Sequence, residues 1–204
     1  MNLQALEVAL AENIGNKLTP ELAIGLLHAL KQTVVARIDI ASIDPCEYVD
    51  YSMQCEYLED ILQQVIPLHQ MHWQETEKYR HSIPLKPNYD YMINAERNGR
   101  FMLFTLRCRD SGVIGNCMMY ISQSTHTQEW VAEEDTIFID PAHRKGRVGI
   151  KFIKYVEDVL GSVGIKEIRV TVKSVNRVGD LLLALGYSHT ANQLTKILGE
   201  EHVQ

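Results

Sequence analysis

The sequence predicts a protein of the α/β (α+β) class, and three observations carry that prediction. Leucines recur at helical spacing through the first thirty-odd residues. In the middle, "FMLFTLRC", "VIGNCMMYIS" and "DTIFID" are apolar runs of strand length, the first two separated by the turn "RDSG". The last third alternates helix-like with strand-like segments. At 204 residues, 46% apolar and 23% charged, the chain has the composition of a soluble globular protein and the length of one domain with an extension.

The elements follow in order. Leu3, Leu6, Leu10 and Ile14 open a helix that "GNKLTP" interrupts. Thr19 before Pro20 then supplies an N-cap with proline at the first helical position, and Leu22, Leu26, Leu27 and Leu30 continue on one face. The pair reads as a helical hairpin whose apolar face needs a partner, either the main domain or a second subunit. "TVVARIDIASIDPCEYVDYS" is ambiguous: its valines and isoleucines favour a strand, and Pro45 breaks it. From Tyr57, the positions Leu58, Ile61, Leu62, Val65 and Leu68 predict a helix to about Tyr79, and "PLKPNYDYM" reads as a loop. Beyond the three strands, Ile150, Ile153, Val156, Val159 and Leu160 make one helical face that Gly161 ends. "KEIRVTVKS" alternates as a strand, "NRVGDLLLALGY" is a short helix stopped by Gly186, and "QLTKIL" is a last short strand.

Charge and cysteine usage narrow the function classes. A net charge of −6 argues against nucleic acid as a bulk partner. The start lacks the basic and apolar segments of a signal peptide, and no apolar run approaches the roughly 18 residues of a membrane span. Cys46, Cys55, Cys108 and Cys117 show no CxxC spacing and read as thiols of a reducing compartment. The expectation is a cytoplasmic protein without membrane or nucleic-acid partners.

One stretch stands apart. "DPAHRKGRVGIKFI", from Asp140 to Ile153, packs four cationic residues and two glycines between a proline and an amphipathic run. A strand, a basic glycine turn and a helix make an anion site, because first-turn N–H groups lack helical partners and the helix dipole is positive there. Glycine lets a phosphate approach the backbone closely. Neither G-x-x-x-x-G-K-[ST] nor G-x-G-x-x-G occurs, which argues against a triphosphate loop and a dinucleotide site. A solvated basic turn that merely caps the helix is the alternative.

The turn follows an antiparallel-looking meander and precedes helix, strand, asparagine and a helix ending in "LGY". In that order the chain resembles the GNAT superfamily of acetyl-CoA-dependent N-acetyltransferases, whose signature is [RQ]-x-x-G-x-[GA] opening a helix. Arg144 matches the first position and Gly149 the last. Arg147 stands where the middle glycine is expected, with the displaced glycine at Gly146. The resulting R-x-G-x-x-G resembles a variant often encoded by tailed phages. "LHQMHWQETE", "EEDTIFIDP", "LLALGY" and "LTKIL" extend the similarity over roughly Tyr57 to Leu198. The resemblance implies a GNAT fold, a mixed and mostly antiparallel sheet flanked by helices, over residues 46–204. Residues 1–45 are expected to form an N-terminal helical extension.

It also implies acetyl-CoA as cosubstrate. Backbone N–H groups of Arg144, Lys145, Gly146, Arg147, Val148, Gly149 and Ile150 would hold its pyrophosphate. The backbone of Phe138 and Ile139 would pair with the pantetheine arm. Asn176 would contact the cofactor or cap the following helix.

Acetyl transfer to an amine needs positioning, a proton acceptor and help for the developing oxyanion. An alkyl amine of pKa near ~10.4 is protonated at neutral pH, so a carboxylate must help remove the proton. "AEEDTIFID" offers Glu133, Glu134 and Asp135. Strict alternation places Glu133 and Asp135 on the face of Ile137 and Ile139 and Glu134 on the other, unless a bulge changes the parity. The resemblance implies that the general base lies on this strand, which makes Glu133 and Asp135 the candidate bases. A solvated acidic strand start is the alternative.

The family's thiolate-protonating tyrosine falls at Leu182 here, which leaves Tyr120, Tyr187 or water as proton donor, with Tyr120 the catalytic candidate and Tyr187 expected to pack. His69, His72 and Glu75 lie at i, i+3 and i+6, but no second cluster completes a metal site, and none is expected. The resemblance implies a place near the acceptor pocket for them, because this helix borders the substrate groove in GNAT folds. His126 and Trp130 lie in the loop before the acidic strand and read as surface packing. The leading expectation is an enzyme acetylating a small-molecule or protein amine. A GNAT-like docking module without turnover is the alternative, and the N-terminal hairpin is a candidate homodimer element.

Overall fold

The computed structural model describes residues 10–33, 37–78, 84–173 and 178–196. A mixed six-stranded sheet in the order β1-β2-β3-β4-β5-β6 forms the centre. Strands β1 (Cys46–Tyr48), β2 (Tyr51–Glu56), β3 (Phe101–Cys108), β4 (Gly112–Gln123) and β5 (Trp130–Ile139) meander antiparallel. β6 (Glu167–Arg169) runs parallel to β5. The helices are α1 (Pro20–Thr33), α2 (Leu58–Thr76), α3 (Tyr89–Arg97), α4 (Val148–Ser162) and α5 (Val178–Ala184). The mixed, mostly antiparallel sheet flanked by helices is the fold class the sequence predicts.

Alternation along β3 gives the sheet two buried faces, which is why "FMLFTLRC" is almost continuously apolar. Met102, Phe104 and Leu106 point to one side, where α4 packs Val148, Phe152, Tyr155, Val156, Val159 and Leu160 on them. Phe101 and Leu103 point to the other, under Leu58, Ile61 and Val65 of α2, with Met92 and Ile93 of α3 alongside. Each large apolar side chain so buried stabilises the fold by about 1.5–3 kcal/mol. At Gly115 the ladder is tight: an added Cβ would lie 2.9 Å from the Phe138 carbonyl oxygen.

Several local expectations are corrected. "PLKPNYDYM" is not all loop, because the Asn88 side chain accepts the Tyr91 amide at 3.0 Å and starts α3 at Tyr89. The ambiguous stretch before Tyr57 resolves into a short 3-10 turn, Ile40–Ser42, and two strands after Pro45. β5 begins at Trp130 rather than Asp135. "KEIRVTVKS" pairs only through Glu167–Arg169, since the chain then leaves β5. Within "QLTKIL", residues 193–196 form no strand; Leu194 is exposed and pairs with no described residue, and the last two residues lie outside the described ones.

At the N-terminus Thr19 caps α1 through the Leu22 amide at 3.2 Å, as its position before Pro20 predicts. Leu3, Leu6 and the side chains of Leu27 and Leu30 lie outside the described residues. Leu10, Ile14, Leu18 and Ile24 are exposed. From Arg37 the chain is fastened to the domain. The Arg37 guanidinium lies 3.2 Å over the Tyr57 ring and binds Glu59 at 2.5 Å and the buried Glu96 at 2.6 Å. Glu96 also accepts the Leu58 amide at 2.7 Å. Tyr57 and Tyr155 donate to the carbonyls of Ile38 and Asp44, so residues 37–44 pack on the domain although they fall within the segment 1–45.

Candidate active site

β5 and β6 pair only from Val131/Glu167 to Glu133/Arg169, while β5 runs on to Ile139. Beyond Glu133 its outer edge has no partner strand among the described residues, which opens a wedge between the two strands. Asp140 donates its amide to the Ile114 carbonyl at 2.8 Å, so by antiparallel alternation Phe138 exchanges with β4 while Ile137 and Ile139 face the wedge. Of the two residues expected to offer backbone groups there, Ile139 does so and Phe138 does not. Ile137, not anticipated, joins Ile139.

A bulge interrupts the β4–β5 ladder. Met118 pairs with Thr136 and Met119 with Glu134, leaving Asp135 as the extra residue. The expected parity is therefore overturned beyond this point. Glu134, not Glu133 or Asp135, shares the α4 side of the sheet with Ile137 and Ile139, and Glu133 lies on the other side, opposite Tyr120. The Glu134 carboxylate accepts the amides of Thr171, at 3.2 Å, and of Ile137, which ties it across the wedge. Burial pushes its pKa up to about 7, with neighbouring Asp135 adding to the rise and the Thr171 amide and Lys173 opposing it. Asp135 is also raised, by desolvation first, although the Thr136 hydroxyl donates to it at 3.2 Å and Lys173 lies near. Its side chain nevertheless remains exposed, as does that of Glu133 on the other side of the sheet. Tyr120 is pushed up to about 12 by burial, then by Asp135 and Tyr91; its ring packs 5.1 Å from Phe101 and 6.1 Å from Tyr91.

The basic turn closes one end of the wedge. Asp140 caps a 3-10 turn, Pro141–His143, by accepting the Ala142 amide at 2.8 Å. The amides of Arg144 and Lys145 are engaged within the turn, with the carbonyls of Pro141 and His143. Gly146 adopts φ +59°, a left-handed conformation suited to glycine. Arg147 then starts α4 without a side-chain cap. The amides of Gly146, Arg147, Val148, Gly149 and Ile150 donate to no described residue, so five of the seven expected donors are available. Lys145 and Arg147 are exposed and form no ion pair among the described residues. Gly149 faces the Ile139 side chain with room for a Cβ at 3.8 Å. This uncapped, cationic helix start fits a pyrophosphate, and the Ile137 carbonyl and Ile139 amide left on the strand edge, beside the Ile137 amide on Glu134 and the Ile139 carbonyl on Arg144, fit the amides of a pantetheine arm.

The Arg144 side chain points elsewhere. Its Nε donates to the Ile139 carbonyl at 2.7 Å, and its two Nη atoms grip the Glu75 carboxylate of α2 at 2.8 and 2.7 Å. His69 is drawn to Tyr89, with Nδ1 3.0 Å from the hydroxyl, and His72 to the Thr76 hydroxyl at 3.1 Å. His69, His72 and Glu75 thus have three separate partners. Burial drives His69 down to about 4 and lowers His72 as well. Beside them an open cleft of about 1050 Å³ runs between α2 and the end of β5, lined by Gln70, Met71, Trp73, Gln74, Leu85 and Phe138 among others.

Other sequence candidates fall away from the wedge or beyond description. Trp130 is the first residue of β5, not a loop residue, and Arg100 lies 4.7 Å over its ring at the far end of the strand. His126 is exposed in the preceding turn. Leu182 is buried in α5, and Tyr187, raised by burial and by Glu157, packs towards α4. Asn176 lies outside the described residues.

Comparison with known proteins agrees with this fold. No curated protein sequence matches the chain. Among solved structures, an aminoglycoside acetyltransferase from an uncultured soil metagenomic sample is 12% identical, with a TM-score of 0.56 over 75% of this chain and 97% of its own. The ribosomal-protein-alanine N-acetyltransferase of Brucella melitensis biovar Abortus 2308 is 15% identical, with a TM-score of 0.54 over 74% and 99%. The glucosamine-6-phosphate N-acetyltransferase of Arabidopsis thaliana is 12% identical, with a TM-score of 0.55 over 72% and 98%. At these identities the likeness establishes a shared fold. The sequence profile described as Acetyltransferase (GNAT) family matches residues 65–187, more than half of the chain, and the protein belongs to that family.

Proposed function

We propose that this protein transfers an acetyl group from acetyl-CoA to an amine. The observation that carries the reading is the wedge itself: an uncapped cationic helix start at one end, the Ile137 carbonyl and Ile139 amide on the strand edge along one wall, and the half-buried Glu134 carboxylate at the throat. Acetyl-CoA supplies the activated acetyl thioester. The amides of Gly146–Ile150, with Lys145 and Arg147, hold its pyrophosphate, and the backbone of Ile137 and Ile139 receives the pantetheine arm.

Glu134 is the group best suited to take the amine proton, because a carboxylate with a pKa of about 7 both accepts and releases protons near neutrality. Glu133 and Asp135 line the approach beside Tyr120 and Tyr91, where two accessible carboxylates and aromatic faces favour a cationic acceptor. Tyr120 keeps its proton across the working range and can give it to the leaving thiolate. The acceptor is a small-molecule or protein amine, the setting cytoplasmic, and the R-x-G-x-x-G turn is consistent with a phage-type variant.

The experiment is a thiol-release screen with acetyl-CoA over polyamines, aminoglycosides and whole-cell protein, with products read by mass spectrometry. A shift in melting temperature with CoA, together with release on at least one amine, supports the reading. Binding without release on any acceptor favours the docking-module reading, which draws on the buried Leu182 at the position of the family's tyrosine.

A further inference from the structure

The two carboxylates that end α2 reach opposite walls of the wedge. Glu75 takes the bidentate Arg144 fork from the turn after β5, at 2.7 and 2.8 Å. Glu77, two residues on, takes Lys173 from the chain leaving β6, at 2.6 Å. Between them His72 packs edge-on against Phe138 at 5.8 Å. The last turn of this helix therefore crosses the wedge mouth and is fastened on both sides. Both side chains of the Arg144–Glu75 pair are more than a third exposed, 39% and 34%, so the fork adds little to global stability. Its planar geometry fixes position instead.

We infer that the end of α2 is a strap that transmits cofactor loading to the acceptor side, with Glu75 and Arg144 as positioning residues. The inference rests on the cofactor reading above. A pyrophosphate on the amides of Gly146–Ile150 immobilises the turn in which Arg144 lies. The Arg144 side chain is aimed at α2, with Nε held by the Ile139 carbonyl, so the fork persists when Lys145, Arg147 and the amides take the anion. Fixing the turn then fixes Glu75, and with it the helix end that borders the cleft next to Met71, Trp73 and Gln74. Coupling of this kind is a differential ordering of one segment by a ligand at another.

Hydrogen exchange on the full chain, with CoA itself as the probe, tests this. In the wild type, CoA should slow exchange of residues 70–78 by about five-fold or more. Glu75→Gln and Arg144→Lys, which remove the fork, should abolish that slowing while CoA affinity measured calorimetrically stays within about three-fold. Slowing retained in both variants overturns the strap, as does faster exchange of 70–78 on CoA binding to the wild type. A variant that merely loosens α2 would exchange faster without CoA and still respond to it, and that result also overturns the proposal. If CoA fails to bind the wild type, the cofactor reading falls and the strap with it, an outcome distinct from CoA binding with no response in α2.

Discussion

Glu134 on β5 accepts the amide of Thr171 on the chain leaving β6, 3.2 Å away, and so spans the gap where the two strands part. If it takes the amine proton, Glu134→Gln keeps the shape and the acceptor oxygen but removes the base. The turnover number should fall by about two orders of magnitude at neutral pH, with acetyl-CoA affinity nearly unchanged. The wild-type rate should rise with pH through about 7, and the variant should lose that limb. By contrast, Glu133→Gln and Asp135→Asn should act mainly on KM for a cationic acceptor. Steady-state kinetics across pH 5.5–9 separates these outcomes, and an unchanged kcat in Glu134→Gln removes it from the chemistry.

The same carboxylate affects stability. Its folded pKa is raised above the ordinary 4.5 to about 7, so the folded state holds a proton the unfolded state has lost. That contribution is fully present below about pH 4.5 and is lost as pH rises through 7. Glu134→Gln should therefore be more stable than the wild type at pH 8, by about 1–3 kcal/mol, and near parity at pH 4. His69 has the opposite sign: lowered from 6.5 to about 4, it favours the fold above 6.5 and loses that contribution as pH falls towards 4. Urea midpoints at three pH values check both, and the Glu134 variant should show the steeper acid loss.

The legibility of this chain divides along physical lines. Long apolar runs such as Phe101–Cys108 and the Ile150–Leu160 face were readable because burial on a period of two or 3.6 writes itself into composition. The basic glycine turn was readable because anion sites need particular residues in sequence. α3 was hidden by the two prolines before it, although Asn88 at its cap was a local signal. The identity of the wedge carboxylate was not readable at all. Two adjacent acids and an aspartate look alike until the bulge at Asp135 decides which faces Ile137, and the bulge arises from pairing with β4. The Arg144–Glu75 fork joins distant segments and left no local trace.

At the turn, backbone approach rather than charge should govern cofactor affinity. Gly149→Val places a branched side chain beside Ile139 at the helix start and should weaken CoA binding by about ten-fold or more. Lys154→Ala, on the exposed side of α4, should change it by about two-fold or less. Titration calorimetry decides. Equal losses would mean that net charge dominates.

Arg37 predicts a cost at a distance from the chemistry. Arg37→Ala leaves the buried Glu96 without its cation and should destabilise the fold by about 2–4 kcal/mol. Adding Glu96→Gln should recover much of that loss in denaturant midpoints, because a neutral amide needs no counter-charge. A chain starting at Cys46 should behave like Arg37→Ala or worse. If it matches the full chain in stability, the clasp is ornamental.

The bulge carries a consequence for anyone altering this strand. Below Asp135 the strand keeps one phase and above it another, so the residue acts as a spacer that shifts the parity of the sequence by one. Deleting it would restore one-to-one pairing, with Thr136 still opposite Met118 and Glu134 still opposite Met119, so Glu134 would keep its place on the α4 side while only the Asp135 carboxylate is lost. Natural or designed relatives without the extra residue would carry the equivalent of Glu134 immediately before that of Thr136, and an alignment without a gap at this spot would set it against Asp135.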